Sequence, residues 1–142
     1  MNLAERARSI ANDRNQKIQT AIQEVANYFK EYLNSNKFEQ LIEYKISDPI
    51  NQNTGYGVVS LEVKYEYVEG QKEAVKVITL GGKKWICPDN FYKTYEISFC
   101  DIEKEVCQRL HAITEDKLRE MGFTAEQYDA WAFTHLWIKF SW

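Results

Sequence analysis

The chain has 142 residues, of which 44% are hydrophobic and 27% charged, with a formal net charge of −3. That length suits one domain with a real core, and the composition excludes a disordered tail. The net acidity weighs against a dedicated nucleic-acid binder. Aromatic residues are abundant at 14%, enough for a dense core or for a core plus a recognition surface.

The opening Met1-Asn2-Leu3-Ala4-Glu5-Arg6 has no apolar h-region, so no secretory signal is expected in the chain as given. No apolar run approaches the roughly 20 residues of a membrane helix. Three cysteines, an odd count, do not make a disulfide framework. These points together imply a reducing, cytoplasmic setting.

Residues 3–34 read as one amphipathic helix. Ile18, Ala21, Ile22, Val25, Ala26, Phe29, Tyr32 and Leu33 recur at three- and four-residue spacing, which makes one apolar stripe. Leu3, Ala7, Ile10 and Ala11 start a similar stripe. The wholly polar stretch 12–17 between them implies a helix that projects past the core, or two helices with a break. Ile42, Tyr44 and Ile46 alternate with Glu43 and Lys45 as in a first strand, and 48–57 reads as a polar loop.

The clearest element is Val59 to Tyr67, where apolar and polar residues alternate for nine positions. A period of two means a strand with one buried and one wet face, the mark of an antiparallel sheet covered on one side. A turn at Glu69–Lys72 leads to a strand over Ala74–Leu80. Gly81-Gly82 suits a tight hairpin, because primed turns need positive φ. A short strand over Lys84–Cys87 follows, then a strand over Phe91–Cys100.

Asp101 is the expected N-cap of a helix carrying Ile102, Val106, Leu110 and Ile113. A helical turn running to Met121 would end on Gly122. Thr124-Ala125-Glu126-Gln127 matches a capping box and predicts another helix with Tyr128, Trp131 and Ala132. Leu136, Ile138, Phe140 and Trp142 alternate like a strand, although that helix could also continue through them.

The expected fold is a single α+β domain over 1–142. A long N-terminal amphipathic helix packs on an antiparallel meander of four or five strands, and C-terminal helices follow. In element order this resembles the cystatin-like and NTF2-like architectures, and fold alone does not fix function. In some cone-shaped folds of this outline the sheet curls around a ligand pocket. Here the Tyr44, Tyr65, Tyr67 and Tyr95 hydroxyls could line such a pocket; the plainer reading is a tyrosine-rich core with hydroxyls at its rim.

The sharpest side-chain constellation is Cys87, Cys100, Cys107 and His111. Thiolate and imidazole are the ligands zinc prefers, and Cys107 and His111 share a helix face. The spacings match no standard zinc module, however, and cysteine is commonly a buried small hydrophobe. No metal or other cofactor is therefore expected. A Cys107–His111 nucleophile–base pair, with Glu115 one turn on, is opposed by Glu103, Glu105 and Asp116, which would raise the thiol pKa. His135 among aromatics reads as a packing residue. Glu62 and Glu66, with Lys64 between them, fall on the wet strand face, where neither would be desolvated for acid–base work. No stretch carries a catalytic signature, so the sequence favours a binding role over an enzyme.

Charge is uneven along the chain. Residues 70–93 carry five lysines against two carboxylates, and residues 101–130 carry eight carboxylates against four bases. Lys83, Lys84 and Trp85, with Tyr92 and Lys93, mix cations and rings as protein hot spots do. The same mixture binds single strands of nucleic acid, the weaker reading at this net charge. The plainest reading is a solvated hairpin tip with Trp85 tucked into the core. The sequence thus points to a small non-catalytic domain of inhibitor, immunity, chaperone or adaptor type that binds a protein through these five residues. The rival is a ligand-binding domain or enzyme with a pocket between helix and sheet. A homodimer joined by the first helix or an edge strand is a third reading, although the polar stretch 12–17 argues against a long coiled coil.

Overall fold

A computed structural model describes residues 2–132 and 135–142, without the side chains of 129–132. It has the expected α+β architecture: a long N-terminal helix on a five-stranded antiparallel sheet, with a second long helix later in the chain. Helix α1 (Leu3–Leu33) opens on a capping box. The Asn2 side chain accepts from the Glu5 N–H at 2.8 Å, and the Glu5 carboxylate accepts from the Asn2 N–H at 3.3 Å. Its second half buries Ala21, Ile22, Val25, Ala26, Phe29, Tyr32 and Leu33. Residues 2–17 are all exposed. The polar stretch therefore does not break the helix; it belongs to an arm that leaves the core.

The sheet contains β1 (Tyr56–Glu66), β2 (Val75–Leu80), β3 (Lys83–Ile86), β4 (Thr124–Ala132) and β5 (His135–Ser141), in the order β3-β2-β1-β5-β4. Every neighbouring pair is antiparallel. Register places Leu61 beside Leu80 and Leu136, Val63 beside Ile78, Val59 beside Ile138 and Gly57 beside Phe140. Those residues face inward and are buried with Phe29, Phe38, Ile42, Val106, Leu110 and Leu118 from the helices. Each large side chain so buried contributes about 1.5–3 kcal/mol of transfer free energy. Gly57 is required by this packing, because a Cβ there would sit 2.7 Å from the Phe140 ring.

Tyrosines of α1 fasten the β2–β3 hairpin. The Tyr28 hydroxyl donates to the Lys84 carbonyl at 2.6 Å, and the Gly82 N–H donates to the Tyr32 hydroxyl at 3.1 Å. Gly81 turns with φ +58°, and a Cβ on it would lie 3.0 Å from Leu41 and 3.1 Å from the Tyr32 hydroxyl. Both the backbone and the space thus demand glycine.

Several local expectations are corrected. Ile42, Tyr44 and Ile46 lie on a helix, α2 (Asn36–Ser47), not a strand. Phe38 and Ile42, four apart, are buried, whereas Tyr44 is 74% exposed. Within the expected loop, Asp48 caps a short helix α3 (Pro49–Thr54), which Gly55 ends in the left-handed region. The stretch 91–100 is no strand. Phe91 and Tyr95 stack at 4.8 Å across a helical turn, α4 (Phe91–Tyr95), and α5 (Phe99–Glu120) starts soon after. Ser98 is the N-cap of α5, and Asp101 sits in its first turn, where a carboxylate also suits the helix dipole. Residues 124–132 form β4 rather than a helix. The strand reading of Leu136, Ile138 and Phe140 holds, and all three are buried. Only β1–β2–β3 is a meander; the β4–β5 hairpin joins the other side of β1 and makes it the central strand.

Candidate interaction surface

The sheet has a second face. Tyr56, Val58, Ser60, Glu62 and Glu66 of β1 are half-buried, as are His135, Trp137, Lys139 and Ser141 of β5, and none belongs to the core cluster. Register puts Ser60 beside Trp137, Val58 beside Lys139 and Glu126 beside Lys139. The helices bury the inward set, so this outward set is left to solvent.

The outward face divides chemically. On the β1–β3 side, Lys64 bridges Glu62 at 3.2 Å and Glu66 at 3.5 Å, and Lys84 reaches Glu66 at 3.2 Å. The Lys84 hydrogen bond holds the Glu66 carboxyl below its usual range, so Glu66 is no general acid. On the β1–β5–β4 side, the Tyr56 and Tyr128 rings meet at 5.6 Å, with their hydroxyls 3.4 Å apart. The Lys139 ammonium lies over both, 4.4 Å from one centroid and 5.5 Å from the other. Trp137 packs edge-on to His135 at 5.0 Å. These tilted and edge-on ring contacts restrain the side chains, so less rotamer entropy remains to be lost when a partner docks.

The five hairpin residues do not form one surface. Lys84 lies on the outward face, in the ladder above. Lys83 lies beside α1, its ammonium 5.2 Å from the Tyr28 centroid. Trp85 points inward, 5.2 Å from the Phe99 ring and 6.3 Å from Phe91. Tyr92 and Lys93 stand exposed on α4. Among the other tyrosines, Tyr44, Tyr65 and Tyr67 are 60–84% exposed, and Tyr95 stacks on Phe91. The Tyr65 hydroxyl meets the Cys100 thiol at 3.7 Å instead. Phe29, Leu61, Ile138 and Phe140, each fully buried, fill the space between α1 and the sheet.

The thiols are dispersed by depth. Cys100 is exposed, Cys87 half-buried and Cys107 buried. Burial, then the charges of Cys100 and Asp89, pushes the Cys87 thiol up to about 11. Burial, then Glu103, pushes Cys107 up to about 12. These shifts disfavour the nucleophilic thiolate. His111 contacts Glu115 at 3.1 Å, and Glu115 also binds Arg119 at 2.7 Å. Among the described residues no three His, Cys, Asp or Glu side chains are grouped to hold a metal ion.

Beneath the edge of β2, the Lys76 ammonium meets Glu103 of α5 at 2.7 Å and lies 4.5 Å from the Tyr65 centroid. Sequence reading missed this pair, because Lys76 sits at an inward position of a strand otherwise lined by Ile78 and Leu80. The strand's own parity is the signal that could have found it.

No family model, curated protein or solved structure matches the chain. No helix among the described residues is long and apolar enough to cross a membrane.

Proposed function

We propose that the chain acts by binding another polypeptide, as a small inhibitor, immunity-type, chaperone or adaptor domain, through the outward face of its sheet. The observation that carries this reading is the Tyr56–Tyr128–Lys139 cluster beside Trp137, on the face opposite the helices. Tyrosine and tryptophan are the residues over-represented at interface hot spots. Charge supports a protein over a nucleic acid. The face pairs Lys64, Lys84 and Lys139 with Glu62, Glu66 and Glu126, and phosphate binding needs an excess of cations. Lys84 continues the face onto β3, Lys83 and Trp85 hold that edge to the body, and Tyr92 and Lys93 stand apart on α4. The filled space between α1 and the sheet weighs against the rival, a pocket-based ligand binder or enzyme.

The test is native mass spectrometry of the tagged chain drawn gently from its own cells, followed by affinity measurements on two variants. Tyr128→Ala/Lys139→Ala should weaken a stoichiometric polypeptide complex by about tenfold or more, the loss of one hot spot. Lys84→Ala/Tyr92→Ala/Lys93→Ala should weaken it less. Unchanged affinity in the first variant overturns the face, and a chain that carries only a small organic ligand overturns the function.

A further inference from the structure

We infer that the projecting arm of α1 pairs with the same arm of a second copy, antiparallel and across a twofold axis. This contact is separate from the sheet face. Residues 3–17 are helical and exposed throughout, with Leu3 at 82% and Ile10 at 62%. A lone helical segment of this length is marginal in water, yet the chain starts it deliberately with the Asn2–Glu5 capping box.

The arm's pattern is that of a short coiled-coil seam. With Ala7 and Arg14 at a, positions d hold Leu3, Ile10 and, past the end of the seam, Lys17, and positions e hold Ala4, Ala11 and Ile18. Positions b, c and f are Arg8, Ser9, Glu5, Asn12, Asn15 and Gln16, all polar. Positions g hold opposite charges, Arg6 and Asp13. Among the described residues neither Arg6, Asp13 nor Arg14 has an ion-pair partner within the chain.

In an antiparallel pair, a residues layer against d residues of the other helix, and g faces g. Placing Ala7 against the second copy's Ile10 also layers Leu3 against Arg14, whose methylenes can cover it while the guanidinium reaches solvent. The same register sets Arg6 opposite Asp13 twice, once on each side of the axis, and Ala4 opposite Ala11. Alanines let the helices approach to about 8 Å. No parallel register gives this, because g would then face the e alanines. The seam runs from residue 3 to 14, about 18 Å, and ends where Lys17 turns to Glu96 at 2.8 Å. Burial begins around Ile18, and the body first approaches the arm where Asp13 and Gln16 face Thr94 and Tyr95 across an open cleft.

Such a seam covers on the order of 300 Å² per copy, against about 800 Å² in a standard interface. The dimer is accordingly weak and appears at high concentration. A membrane surface fits less well, since two large apolar side chains offer it little area.

Sedimentation velocity on the full chain, from micromolar to millimolar concentration, tests the inference. The sedimentation coefficient should rise with concentration in the native chain and stay flat in Ile10→Asp. Arg6→Asp alone, or Asp13→Arg alone, should weaken association by about tenfold, since each variant replaces two attractions by two repulsions. The double reversal Arg6→Asp/Asp13→Arg should restore it. Thermal melting of each variant reads the intact body, because the arm lies outside the core. A monomer at millimolar concentration, a dimer indifferent to Ile10→Asp, or a double reversal no better than the singles overturns the pairing. So does a monomer that cosediments with phosphatidylserine vesicles.

Discussion

Replacing Lys76 with methionine strands the Glu103 carboxylate at the edge of the core. The two side chains are only 16% and 9% exposed and meet at 2.7 Å, so they belong with buried pairs rather than surface ones. Removing one partner of a buried pair costs about 3–5 kcal/mol, because the remaining charge has left water without compensation. A domain of this size holds about 5–15 kcal/mol in total, so the single variant loses a large share of its stability. Glu103→Leu should cost a comparable amount by stranding Lys76, less whatever the Tyr65 ring beneath the ammonium returns. The double variant Lys76→Met/Glu103→Leu should recover most of the loss, since two apolar groups of similar size need no partner. Urea titrations of the four proteins, read as a double-mutant cycle, supply the coupling energy. A single variant that loses less than about 1 kcal/mol would place the pair among exposed salt bridges and refute the argument.

Trp85→Ala should cost about 3 kcal/mol, because the ring packs between Phe91 and Phe99, whereas exposed Tyr92→Ala should stay within about 0.5 kcal/mol; chemical denaturation of both decides whether Trp85 is structural. Gly57→Ala should cost about 1–3 kcal/mol by driving a methyl into the Phe140 ring, and an unchanged melting temperature would mean that the ring yields freely. Stability should fall at alkaline pH. Cys87 and Cys107 have folded-state pKa values of about 11 and about 12, above the ordinary 9.0, so their contribution is complete below 9 and is lost as pH rises through those values. Lys76 adds to the loss: burial lowers its pKa, but Glu103 outweighs burial and leaves it raised above 10.5. A melting temperature that is flat up to pH 11 would contradict this. A thiol reagent at neutral pH should modify Cys100 in the folded chain and reach Cys87 and Cys107 only on unfolding; mass spectrometry after brief labelling reads the order.

The parts of the fold legible in the sequence are those whose pattern is long. The alternation over Val59–Tyr67 carries β1 as far as Glu66, although Tyr65 and Tyr67 at its end are exposed rather than buried, and eight apolar positions over four turns carry the second half of α1. Short windows misled. Ile42, Tyr44 and Ile46 alternate over five residues by coincidence, while Phe38, Leu41, Ile42 and Ile46 carry the helical spacing and Ser35 supplies the cap. Phe91 and Tyr95, four apart, were equally open to a helical reading. The false helix at 124 has a different cause. Its capping box is a local signal of about 1 kcal/mol, and the ladder with β5 outweighs it by satisfying backbone groups along the whole strand. That ladder depends on a partner strand which no local window contains.

The same distinction governs the two surfaces. The outward cluster joins Tyr56, Tyr128 and Lys139 from three strands, and 72 positions separate the two tyrosines. Only the order β1-β5-β4 makes them neighbours, so a sequence reading that took 124–132 for a helix could not assemble them. It fell instead on Lys83, Lys84 and Trp85, adjacent in the chain but facing alternate sides of β3. The arm is the reverse case. Its seam lies within one helix, and Leu3, Ala7, Ile10 and Ala11 are legible without any structure. What sequence cannot supply is the fact that nothing among the described residues covers them. Alternation and heptads follow from local geometry, whereas exposure follows from the whole fold. The arm becomes a candidate interface only where the two disagree, an apolar seam on a helix that the body leaves bare.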